Sequence, residues 1–132
     1  MTHLQIVVLC ASVTTGCVGP SKEVVERYPS PDGAAEAVVL EINGGATVAY
    51  AYSVCVRSKE SNSEMIEVAL MDRVSSVYER GPKISWDNAQ TLVIQFQKAQ
   101  VYSFKNSAWL RTSPPFRVVG VRLEHPPEGF LP

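Results

Sequence analysis

The sequence predicts an all-β fold: a single small domain, built as an antiparallel meander of six or seven short strands in a small sandwich or a bent sheet. Three observations lead there. Turn chemistry recurs about every ten residues from Ser30 onward, and the runs between turns alternate apolar and polar side chains with the two-residue period of a strand. No stretch combines helical spacing with a capping pattern. With 132 residues, nine prolines and 45% apolar side chains, the chain supports one modest core.

Ser30-Pro31-Asp32-Gly33 is the first turn, and each residue has a role in it: proline presets φ, aspartate caps its own backbone and glycine accepts positive φ. A strand should follow. Glu36 to Ile42 alternates, with Val38, Leu40 and Ile42 on one face, and Asn43-Gly44-Gly45 closes it with a hairpin signal. The return strand places Val48, Tyr50, Tyr52, Val54 and Val56 on one face and small residues, including Ser53 and Cys55, on the other. A face of small side chains lets a neighbour approach closely, so this strand is expected to be covered on both sides. Residues 58 to 64 read as a polar loop, and Glu64 to Tyr78 fits a strand slightly better than a helix. Beyond the Gly81-Pro82 break come a short strand from Lys83 to Trp86, a turn at Asp87-Asn88-Ala89-Gln90 and a strand from Thr91 to Gln97. A reversal at Lys98-Ala99 is expected to pair Val101 to Phe104 back onto it. Trp109 falls in an expected loop, and Phe116 to Leu123 forms the last strand, with Val119, Val121 and Leu123 facing one way.

The pattern Ser30-Pro31-Asp32-Gly33, Glu36-Ala37-Val38-Val39, Gly45-Ala46-Thr47, Trp86-Asp87 and Thr91-Leu92-Val93-Ile94 resembles a family of small bacterial proteins catalogued only as a domain of unknown function. The resemblance covers about Ser30 to Phe104. It implies a bacterial source, an all-β fold and, in many members, a lipoprotein-type signal. It carries no catalytic residue.

The N-terminal residues agree with that implication. Residues 4 to 13 form a short apolar run ending in small residues ahead of Cys17, too short to span a bilayer and similar to the lipobox of bacterial lipoproteins. Thr14 replaces the usual aliphatic residue, and His3 is the sole basic group before the run. On this reading residues 1–16 are a signal peptide and Cys17 carries the lipid. Residues 17–32, rich in proline, serine and charge, form an exposed tether, and 33–132 is the β-domain. The alternative keeps the N-terminal run as a core strand of a cytosolic protein. Cleavage would remove Cys10 and leave Cys55 with no disulfide partner inside the domain. Cys55 itself is expected as a small, half-buried apolar group.

Catalytic chemistry finds little support. Beyond the signal the one histidine, His125, lies beside prolines near the C-terminus, while Asp32 and Asp87 belong to turns. Cysteine and histidine are not clustered for metal binding, and no phosphate-binding glycine motif occurs. No enzyme activity, metal or cofactor is therefore expected. The formal charge of −1 argues against nucleic acid as a partner. It is a balance of unlike halves: residues 17–79 hold five basic and ten acidic side chains, and residues 80–132 hold seven basic and three acidic. The halves either neutralise each other in the fold or leave a two-signed surface, with Lys98, Lys105, Arg111, Arg117 and Arg122 beside Tyr102, Phe104 and Trp109. The expected function is that of a cell-envelope lipoprotein, held to a membrane through Cys17, with a non-catalytic β-domain that binds a protein partner. The alternative is a small-molecule or glycan-binding domain. Tyr50, Tyr52, Trp109, Lys105 and Arg111 are the candidate contact residues.

Overall fold

A computed structural model describes residues 21–60, 63–75, 81–111 and 116–125. The expected signal peptide and Cys17 lie outside the described residues. Among those described, nine strands form a two-sheet sandwich: β1 (Ser21–Pro29), β2 (Ala35–Asn43), β3 (Ala51–Ser58), β4 (Ile66–Ser75), β5 (Lys83–Asn88), β6 (Thr91–Gln95), β7 (Lys98–Phe104), β8 (Ser107–Leu110) and β9 (Arg117–Glu124). The first sheet runs β1-β2-β3-β4-β7 and the second β5-β6-β9-β8. The all-β class and the single small domain are as the sequence predicts.

The core lies between the sheets. Alternation sends Ala37, Val39, Val54, Val56 and Met71 inward from the first sheet to meet Ile84, Leu92, Ile94, Val119 and Val121 from the second. Trp86 reaches across the gap and donates its indole N–H to the Tyr28 carbonyl at 2.9 Å. Both faces of β3 are buried, as its small-residue face suggests. Ser53 and Cys55 sit on the outer side of a central strand, flanked by Val38 and Leu40 of β2 and by Glu67 and Leu70 of β4.

Turn residues hold this arrangement as the sequence implies. Gly33 has a φ of 71°, its N–H bonds the Ser30 carbonyl at 2.9 Å, and Asp32 accepts from the Ser30 hydroxyl and the Ala34 N–H. Gly45, at φ 116°, donates its N–H to the Asn43 side chain and so closes β2. Asn88 accepts the Gln90 N–H and turns β5 into β6.

Five expectations need correction. Residues Ser21 to Pro29, expected within the tether, form β1, which pairs along β2 as an outer strand. Its side chains are almost all exposed, so burial leaves no apolar alternation to read. The return strand begins at Ala51, leaving Val48 and Tyr50 in the preceding loop. Val101 to Phe104 does not pair back onto β6. The chain crosses at Gln97, whose N–H bonds the Ser75 carbonyl at 2.9 Å, and β7 joins β4 in the other sheet. The β6–β9 pair is parallel, which breaks the pure meander, and Trp109 stands on a strand, β8, instead of in a loop.

Ionic contacts centred on Glu36 and on Asp32 tie parts of the fold together. Glu36, buried on β2, has one oxygen 2.9 Å from Arg27 of β1 and 2.8 Å from Arg57 of β3. The second contact joins the unlike halves of the chain: Arg117, at the start of β9, pairs with Asp32 at 2.6 Å and also donates to the Ala89 carbonyl. Hydrogen bonds from Arg117, Ser30 and Ala34 hold the Asp32 carboxyl well below its ordinary value of 3.8. A depressed folded-state pKa means that the stabilisation is complete above the ordinary value and fades as pH falls toward the folded one. Asp32→Asn should therefore destabilise the domain at neutral pH. Acidification from about pH 5 to pH 2 should narrow its gap to wild type. Thermal melts of both proteins across that range check this, and a gap independent of pH would contradict it.

Candidate functional site

The second sheet ends at β8, a four-residue strand in which Ala108 and Leu110 face the core while Ser107 and Trp109 face out. The ladder with β9 sets Trp109 opposite Val118 and ends with Leu110 opposite Arg117, so that Arg111 and Phe116 are the residues next to its last pair. Trp109 is 69% exposed, Phe116 70% and Val118 38%. The result is a contiguous outward face of two aromatic rings, a valine and an arginine. Isolated exposed apolar residues need no explanation, but a cluster of this kind marks an interaction site, and tryptophan and arginine dominate binding energy at such sites.

Beside this face lies an open groove of about 470 Å³, lined by Ser58 at the end of β3, by Ser63, Glu64 and Ile66 leading into β4, and by Trp109 and Arg111. Its walls offer hydroxyls, one carboxylate, one guanidinium and an indole. Ser63 donates its hydroxyl to the Ser58 carbonyl, which fixes the loop on that side.

Of the candidate contact residues, the fold brings together Trp109 and Arg111. Lys105 is exposed in the bend between β7 and β8. Tyr50 lies before the start of β3, and the groove lies at the end of that strand, roughly 25 Å away at the rise of an extended chain. Tyr52 is only 4% exposed, packs in the core and donates its hydroxyl to Glu41 at 3.0 Å, so it leaves the contact set. Phe116 and Val118 were not legible as site residues, because only the β8–β9 register places them beside Trp109. Their one sequence signal is that Phe116 to Leu123 carries apolar side chains on both faces.

The wider basic and aromatic face does not assemble. Arg117 is held by Asp32, Arg122 pairs with Asp87 and Glu124, and Tyr102 donates its hydroxyl to Asp72 at 2.8 Å on the other sheet. Cys55 is buried beside Ser53, whose hydroxyl bonds Glu67 at 2.6 Å. Burial pushes the Cys55 thiol up, keeping it protonated at neutral pH, the inert state of a structural cysteine. Among the described residues, no group of three or more histidine, cysteine, aspartate or glutamate side chains is placed to hold a metal ion, and no helix is long and apolar enough to cross a membrane.

Comparison with protein-family models, with curated proteins and with solved structures finds no match to this chain. The fold and the site define a two-sheet β-sandwich with an exposed aromatic face at one sheet edge.

Proposed function

We propose that this chain is a lipid-tethered protein of the bacterial cell envelope whose β-sandwich binds a protein partner and does no catalysis. The observation that carries the reading is the outward cluster of Trp109, Arg111, Phe116 and Val118, whose composition suits a protein surface. The anchor rests on the apolar run of residues 4–13 and on Cys17.

The binding part is tested by photo-crosslinking in cells. A benzophenone side chain at position 116 should trap a discrete partner that the same group at Lys83 does not, and equal trapping at both positions would contradict the proposal. Trp109→Ala should weaken capture about 30-fold, as loss of a hot-spot tryptophan does. The same exchange should leave the melting temperature almost unchanged, since the side chain is exposed. The anchor is tested by metabolic labelling with palmitate: Cys17→Ala should lose the label and shift to the soluble fraction, and unchanged labelling would overturn it.

One observation favours a second reading, a glycan ligand. The groove sets an indole face beside Glu64, Arg111, Ser58 and Ser63, the combination of stacking surface and hydroxyl-binding groups that a sugar ring uses. In a Trp86→Phe background Trp109 is the sole tryptophan, so its fluorescence reports the groove directly. Titration with cell-wall glycan fragments should quench it on this reading, and no response would remove it.

A further inference from the structure

We propose that β8 takes its partner as an added β-strand, with an extended peptide lying in the groove and bonding to the backbone of Ser107, Trp109 and Arg111. This rests on the protein-binding reading above and specifies how the partner is held.

The argument begins with hydrogen-bond parity. In an antiparallel ladder, residues that exchange bonds with the partner alternate with residues whose N–H and C=O point the other way. Val121 donates its N–H to the Asn106 carbonyl at 2.8 Å, which makes Asn106 a bonded position toward β9. Ala108 and Leu110 share its parity in the register. Ser107, Trp109 and Arg111 therefore direct their N–H and C=O groups away from β9, and β8 is the last strand of its sheet. Lys105 has the same outward parity, and its N–H is already used in a bond to the Val68 carbonyl of β4 at 2.8 Å. The outward edge is thus closed by the first sheet at the entrance to β8 and opens beyond it, where the groove lies.

The other edges are less suited to accept a strand. β1 carries Lys22, Glu23, Glu26 and Arg27 and a bulge after Val24, both common protections against pairing. β5 is bulged between Trp86 and Asn88, and β7 is bulged between Leu70 and Met71 of its neighbour. Of the described edge strands β8 alone has an unbroken register and no charged residue, and a groove lies alongside it. A peptide laid there would place alternate side chains against Trp109 on one side and toward Ile66 on the other. That geometry selects an extended segment with alternating apolar residues, recognised through its main chain.

The probe is a short peptide alternating valine and threonine with lysine ends, titrated into the full chain and followed by amide NMR. Before titration, hydrogen exchange should be slow at Ala108 and Leu110 and fast at Ser107 and Trp109. The peptide should shift the amide signals of Ser107, Trp109 and Arg111 and slow their exchange. Ser107→Pro removes an outward donor while keeping Trp109, and should weaken binding about tenfold, as should N-methylation of the peptide on alternate residues. A melt of Ser107→Pro guards against misfolding, and the N-methylated peptide repeats the test on unaltered protein. Shifts confined to the Trp109 ring and indifferent to N-methylation, or no shifts at all, would overturn strand addition. Partner capture at position 116 would then still stand or fall on its own.

Discussion

Replacing Leu92 with alanine is expected to lower the melting temperature by about 15–25 °C, the largest stability loss of any single exchange considered for this fold. Leu92 is 0% exposed, and β6 lies inside the second sheet between β5 and β9, where neither neighbour can close on a void. In the register Trp86 and Val121 flank it, and Ile94 follows it on the same inward face. A buried leucine cut to alanine loses its transfer energy and leaves a cavity, together about 3–4 kcal/mol. For a domain of about 100 residues each kcal/mol moves the melting temperature by some 4–8 °C, and total stability is only about 5–15 kcal/mol. Val24, exposed on β1, provides the contrast: Val24→Ala should cost no more than about 0.5 kcal/mol. Thermal unfolding followed by circular dichroism measures both. A loss under about 5 °C for Leu92→Ala would mean that the two sheets do not close on a packed core.

Which parts of the fold were legible follows from what burial writes into a sequence. β2, β3, β6 and β9 alternate because one or both of their faces enter the core, and the turns at Ser30–Gly33, Asn43–Gly45 and Asn88–Gln90 announce themselves through glycine and capping side chains. β1 was hidden by its position. As an outer strand with nearly every side chain exposed it has no apolar face, and its charges, with a proline at its end, imitate a tether. β8 was hidden by its length, since Ala108 and Leu110 are its whole inward face. Pairings distant in sequence, β7 with β4 and β6 with β9, leave no local trace, and they decide which side chains share a surface. That is why Trp109 and Arg111 were visible as candidates by residue type while Phe116 and Val118 were not. The same ladder fixes the outward parity of Ser107 and Trp109, a property of the backbone that side-chain chemistry does not encode.

Gly81→Ala is expected to cost about 3 kcal/mol, with a matching fall of roughly 12–24 °C in melting temperature. Gly81 has a φ of 90°, a region in which a side chain is strained by some 1–2 kcal/mol. A Cβ added there would also lie 2.9 Å from Cε1 and 3.1 Å from Cδ1 of the Tyr52 ring. That ring has little freedom to yield, because it is buried among core residues and its hydroxyl is bonded to Glu41. The two costs separate in a double-mutant cycle. In a Tyr52→Leu background the ring is gone, and Gly81→Ala should cost only the backbone strain of about 1–2 kcal/mol. An equal cost in both backgrounds would mean that Tyr52 does not pack under Gly81. The cycle also decides what Tyr52 is for. A tyrosine that fills space beneath a glycine contributes to folding and not to recognition, so Tyr52→Leu should lower stability while partner capture at position 116 persists at temperatures where the domain remains folded. Loss of capture there would return Tyr52 to the contact residues.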